Sequence, residues 1–153
     1  LGLLAANLRR LRRPLPLLCA DGRRAPWRSR FDRVVVDLPC SGTGTLRKNP
    51  ELKWRLSEAE IARLAASGLD LLAGAADAVA AGGRLVAMTC SLEPEENERL
   101  VEAFLAARPE FAREPLAPLL PPVHARFANE AGVWRLPPGG GHDGFTVQVL
   151  RRG

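Results

Sequence analysis

The tightest constraint on the fold lies between Phe31 and Thr89. Val34, Val35 and Val36 follow one another with no polar residue between them, and a second apolar stretch, Arg84–Thr89, comes after a long run rich in Ala and Leu. β-Branched residues without alternation belong to a strand covered on both faces, as in a parallel sheet. Phe31–Leu38 is therefore expected to be a strand buried on both faces. Ser57 with Glu60 forms a capping-box pattern at the head of Ser57–Ala81, which reads as one long helix closing at Gly82-Gly83. Arg84–Thr89 is the next strand, and Glu95–Ala107, with Pro94 near its start, is another helix. Strand, helix, strand, helix in that order predicts an α/β fold with a mostly parallel sheet.

The flanks are less regular. Leu3, Leu4, Leu8 and Leu11 recur at helical spacing and predict the end of an amphipathic helix, stopped before Pro14. Leu15–Cys19 reads as a short strand closed by a turn at Asp21-Gly22, and Arg23–Arg30 as a polar loop containing Pro26 and Trp27. Beyond Pro109 the pattern weakens. Pro115–Pro122 is expected to be a loop, and Val133–Leu136 and Phe145–Leu150 to be strands separated by Pro137–Gly141. A chain of 153 residues suits one core. It opens on Leu1 and its one methionine is Met88, so a piece of a longer protein is expected.

Composition narrows the function classes. With 46% hydrophobic and 25% charged residues, the chain is globular and not globally disordered. The 22 Lys and Arg against 17 Asp and Glu give a formal charge of +5, which weakly favours a polyanion such as nucleic acid. Three cysteines, odd in number and far apart, do not make a disulfide framework, and a reducing cytoplasm is expected. Paired-cysteine zinc spacing is absent and His124 and His142 are isolated, so no metal is expected. No apolar run has the length of a membrane span. The arginines from Arg9 to Arg13 follow the apolar N-terminal stretch instead of preceding it, which is not the order of a signal peptide.

Ligands of doubly wound sheets sit beyond the carboxyl ends of the strands, and two cysteines fall at such ends. Cys40 follows the first strand in Asp37-Leu38-Pro39-Cys40-Ser41-Gly42, and Cys90 follows the second in Thr89-Cys90-Ser91. If the two strands are neighbours, both thiols face one cleft. A small buried hydrophobe is the commoner fate of a cytoplasmic cysteine. Cys19, within its expected strand, fits that fate, whereas the strand-end positions of Cys40 and Cys90 fit it less well. Gly42-Thr43-Gly44 lacks the third glycine of a dinucleotide loop, because Arg47 stands there, and reads as a turn; Gly139–Gly141 reads as a flexible loop. Arg47, Lys48, Lys53 and Arg55 cluster with Trp54, a composition that suits a nucleic-acid strand or, on charge alone, a solvated loop. For most of Glu93, Glu95, Glu96 and Glu98, the helix dipole is reason enough.

These residues resemble a known family. Asp37–Gly44 is similar to the Asp-Ala-Pro-Cys-Ser-Gly-x-Gly signature of the Nol1/Nop2/Sun RNA cytosine-C5 methyltransferases, and Arg47–Arg55 to the segment that follows it. Thr89-Cys90-Ser91 with Glu93–Asn97 resembles the second signature, and Asp143-Gly144-Phe145 the closing one. The likeness is nearest to the bacterial branch acting on 16S ribosomal RNA. Leu38 departs from the usual Ala and Thr146 from a second aromatic; neither carries chemistry.

The resemblance implies a Rossmann-like methyltransferase fold with an antiparallel C-terminal strand, S-adenosylmethionine as cofactor and RNA as partner. It also implies an intact enzyme that works as a monomer. Cys90 would add to carbon 6 of cytosine, Cys40 would assist loss of the carbon 5 proton and product release, and Asp37 would bond the base edge and help protonate its ring nitrogen. Asp21 would contact the cofactor's adenine, Asp37 and Pro39 would border the cofactor and base, and Arg47, Lys48, Lys53 and Arg55 would meet RNA. Residues 1–153 would be the C-terminal part of a single catalytic domain, with the first strands and glycine-rich cofactor loop upstream, so weak or no cofactor binding is expected of this chain alone. Two other readings remain. One is a non-catalytic RNA-binding remnant; the other is a related fold acting on DNA or a small molecule, for which two such cysteines are unnecessary.

Overall fold

The structure is a computed structural model that describes residues 1–24 and 27–153; Pro26, placed above in the polar loop, lies outside the described residues. The chain runs α1 (Gly2–Arg10), β1 (Phe31–Asp37), α2 (Leu52–Arg55), α3 (Glu58–Ala76), β2 (Val79–Thr89), α4 (Glu98–Ala107), β3 (Phe111–Glu114), α5 (Pro122–Ala125), β4 (Val133–Leu136) and β5 (Phe145–Arg152). The α/β class and the antiparallel C-terminal strand are as expected. The five strands form one mixed sheet in the order β1-β2-β5-β3, with β4 also paired to β5. β1 and β2 are parallel, Asp37 standing opposite Met88, while β5 runs antiparallel to β2, β3 and β4.

α3 and α4 pack on the sheet through Leu72, Leu100, Val101 and Phe104, which meet Val36, Leu85 and Leu150 in one core. Leu72, Leu85 and Leu150 are wholly buried. Each such side chain contributes about 1.5–3 kcal/mol relative to exposure. Ser57 caps α3, its Oγ accepting from Glu60 N at 3.2 Å. The reciprocal arm of the capping box is not made, because the Glu60 carboxylate binds Arg63 at 2.7 Å.

Four sequence expectations need correction. β1 is an edge strand covered on one face: Val36 and Leu38 are buried, but Val35 is 59% exposed. The long helix ends at Ala76, not at Ala81, because Val79 leaves it to pair with Phe31 in the sheet. Ala80–Gly83 then bulges before the register resumes at Arg84, with Gly82 at φ +72°, a conformation that favours glycine. Leu15–Cys19 forms no strand, since Pro14 and Pro16 supply no ladder donors, and Cys19 is exposed instead of buried. The second helix starts at Glu98 instead of Glu95: a tight turn at Pro94–Glu96 precedes it, and Asn97 at φ −124°, ψ −90° breaks the run.

Other expected elements are present, with small additions. α1, β4 and β5 form where the pattern placed them, and Pro115–Pro122 is loop apart from one tight turn at Ala117–Leu119. β3 was not legible, being four residues long with two charges, and depends on pairing with β5. No described helix is long and apolar enough to cross a membrane.

Candidate active site

Because β1 and β2 are parallel neighbours in register, their carboxyl ends deliver Asp37 and Thr89 side by side. The loops that leave them bring Cys40 Sγ within 3.5 Å of Cys90 Sγ. The single cleft expected for the two thiols is what the strands build. Both are free and partly exposed. Cys40 also lines a cavity of about 440 Å³ with Ser41, Leu52, Arg55, Ser57 and Glu60.

The thiols are electrostatically unequal. Hydrogen bonding from Cys40 pulls the Cys90 thiol down to about 7, against burial and against the charges of Asp37 and Glu96. Donation to Cys90, burial and the Cys90 charge together push the Cys40 thiol far up. Cys90 is therefore the thiol of the pair that ionises first, with the proton left on Cys40. A partly exposed thiolate is the reactive form of cysteine.

A buried polar network holds the two loops together. Glu96 accepts from Ser41 N at 2.7 Å and from Ser41 Oγ at 2.6 Å. Ser41 and Thr43 each approach Ser91 Oγ at 3.3 Å, and Leu92 N donates to Thr43 Oγ1 at 3.0 Å. Asn97 donates to the Ser91 and Glu93 carbonyls and accepts from Thr89 Oγ1. Glu96 is thus no helix-dipole acid, and its burial was the feature that sequence reasoning missed. Its signal was its place in the same motif as Cys90.

The Gly42–Gly44 turn is read correctly as a turn, with Gly42 at φ +74°. Gly44 N donates to the Cys90 carbonyl and its own carbonyl accepts from Gly144 N. A Cβ on Gly44 would lie 2.6 Å from Gly144 O and 2.7 Å from Cys90 O, so only glycine fits between those backbones. The Asp143-Gly144-Phe145 motif thereby closes on the Cys40 loop. Asp143 binds Lys48 at 2.6 Å and lies 3.7 Å from Arg47.

The other expected site residues divide. Asp37 is exposed at the end of β1, and Pro39 is half-buried against α3 near Gly68. Among the described residues Lys53 and Arg55 make no ion pair, unlike Arg47 and Lys48, and Trp54 beside them is 88% exposed. Asp21 is not brought to the thiols. It pairs with Arg23 at 2.8 Å, which holds its carboxyl down at about 2, and shares a groove with Gly74, Asp77 and Arg108 at the C-terminal end of α3. Cys40 lies at the other end, by Ser57 and Glu60. At about 1.5 Å per residue the helix between them is about 28 Å long.

Residues 1–151 match the family described as 16S rRNA methyltransferase RsmB/F. Ribosomal RNA small subunit methyltransferase B of Thermus thermophilus is 47% identical over 127 residues, covering 83% of this chain and 31% of that protein. The protein of the same name from Salmonella typhi is 37% identical over 147 residues, covering 94% and 32%. The chain spans about a third of the length of these relatives. Among solved structures, NSun6 from Pyrococcus horikoshii with SFG superposes with a TM-score of 0.75 at 24% identity, covering 97% of this chain and 38% of that one. At that identity the likeness is one of fold.

Proposed function

This chain belongs to the 16S rRNA methyltransferase RsmB/F family, and from that premise we propose that it is the C-terminal part of a catalytic domain that methylates carbon 5 of cytosine in 16S ribosomal RNA. The observation that carries the reading is the cysteine pair, 3.5 Å apart at the ends of two neighbouring parallel strands. Methylation at oxygen or nitrogen needs no such pair. Carbon 5 of cytosine has a use for both: it becomes nucleophilic once one thiolate has added at carbon 6, and the second thiol can then take the carbon 5 proton.

In this reading Cys90 adds to carbon 6 while Asp37, exposed beside it, bonds the base edge in its acid form, passes its proton to ring nitrogen 3 and takes it back when Cys90 is released. S-adenosylmethionine, when bound, supplies the electrophilic methyl group that carbon 5 takes; SFG, named with NSun6, is an analogue of it. Asp37, exposed at the end of β1, and Pro39 are residues of this chain that would border the cofactor. Asp21, away from the thiols, is the residue that would contact the cofactor's adenine amino group.

The changing state of Cys40 follows from its surroundings. What keeps its proton on, above all, is the thiolate of Cys90. Once the Cys90 sulfur is bonded to carbon, that charge is gone and the Cys40 thiol becomes more acidic. It loses its proton to solvent, to which it is partly exposed, and the resulting thiolate takes the carbon 5 proton while the C–H electron pair forms the carbon 5–carbon 6 double bond and expels Cys90 as a thiolate. Lys53 and Arg55, free of ion pairs among the described residues, would meet RNA phosphates beside the Cys40 cavity, with Arg47 and Lys48 tied to Asp143.

The test uses a full-length enzyme carrying this sequence, 16S RNA and labelled methyl donor. Cys90→Ala is expected to abolish methylation, and Cys40→Ala to accumulate a stable protein–RNA adduct on denaturing gels. An adduct that survives loss of Cys90 would overturn the assignment.

A further inference from the structure

Glu96 is the only ionisable side chain among the described residues that is buried, at 1% exposure. Burying a carboxylate is costly unless charge-assisted hydrogen bonds offset it. Here each oxygen takes one donor, and both donors belong to Ser41, the residue after Cys40. With the Ser41 hydroxyl proton committed to Glu96, the 3.3 Å contact between Ser41 and Ser91 must be donated by Ser91, the residue after Cys90. The carboxylate therefore orients a set of bonds one residue removed from both thiols.

The backbone is shaped to place this group. The tight turn at Pro94–Glu96 and the break at Asn97 aim Glu96 back at the loop instead of along α4, and Asn97 pins the same turn through Ser91 and Glu93. The charge is also the wrong sign for activating Cys90, since Glu96 and Asp37 both oppose its ionisation. Its value to the site is then geometric.

We propose that Glu96 is a positioning residue for the cysteine pair: by holding Ser41 N and Oγ it fixes the Cys40 loop so that the Cys40 S–H reaches the sulfur of Cys90. The catalytic meaning of this contact rests on the methyltransferase reading above, but the contact itself does not.

The experiment needs neither RNA nor cofactor. Iodoacetamide labelling of this chain is followed by peptide mass spectrometry from pH 5.5 to 9, with exposed Cys19 as internal reference and circular dichroism to confirm folding. In the parent chain the Cys90 labelling profile is expected to have its midpoint near 7. Removing a negative charge alone would lower that midpoint; losing the Cys40 contact raises it. Glu96→Ala is expected to raise it by about one pH unit or more, and Glu96→Gln, which keeps an acceptor for Ser41 N, to leave it at or below the parent value. A folded Glu96→Ala chain with an unchanged or lowered midpoint overturns the proposal. If Glu96→Ala does not fold, Ser41→Ala decides: it removes one of the two arms and should raise the midpoint by a smaller amount, and no change overturns the proposal. Retention of RNA methylation by Cys90→Ala in the full-length enzyme would sink the assignment of Cys90 as nucleophile while leaving this labelling result intact.

Discussion

Residues 1–24 and residues 31–153 carry similar hydrophobic patterns and meet opposite fates. α1 repeats leucine at helical spacing, yet none of its residues is buried, and Leu3 is 80% exposed. α4 has the same kind of stripe and buries Leu100, Val101 and Phe104 completely or nearly so. The cysteines follow the same division: Cys19 stands exposed in an extended segment, while Cys40 and Cys90 are set against each other at strand ends. An apolar stripe specifies which side of a helix is to be covered. Whether it is covered depends on a sheet being there to receive it, and that is a property of residues far away in the chain.

The contrast can be broken at several points. The largest effect is expected for Phe104→Ala, which should lower stability to denaturant by about 3–5 kcal/mol, because the ring fills a closed core. Next comes the pH response of Cys90. With its thiol pulled down to about 7, the thiolate fraction and the labelling rate should fall about tenfold per pH unit below 7 and level off above it. A profile that keeps rising through pH 8.5 would place the proton on Cys90 and undo the asymmetry of the pair. Ser57→Ala should cost about 1 kcal/mol by freeing Glu60 N at the head of α3. The smallest effect is expected for Leu4→Ala, within about 0.5 kcal/mol, since nothing closed is emptied. A loss there comparable to that of Phe104→Ala, seen in the same denaturation series, would show that the two regions are one cooperative core.

Much of the site was readable in advance because it is local. Val34–Val36, Cys40 and Gly42–Gly44 lie in one short stretch, and Thr89-Cys90-Ser91 in another; strand-end logic alone placed both thiols in one cleft. What could not be read depended on partners. The valine run looked like a strand buried on both faces, but burial is set by what lies beside it, and β1 is an edge. The helical pattern of α3 runs on past Asp77 in the sequence, but the helix does not, because Val79 gains a strand partner in Phe31 that no helical periodicity reveals. Glu96 was hidden among four acids of equal appearance, and only the three-dimensional course of the turn separates it from Glu95, which pairs with Arg99 on the surface.

The backbone contact at Gly44 has a further consequence. Its N–H is bonded to Cys90 and its carbonyl to Gly144, so the loop bearing Cys40 is closed by residues near the end of the chain. Contacts between such distant positions form late, because a long loop must close before they reward it. During synthesis the strands and helices up to α4 can collapse while β5 is still being made. The loop bearing Cys40 is closed only when Gly144 arrives, so a partly made chain would hold both cysteines before it holds every contact that fixes the loop between them.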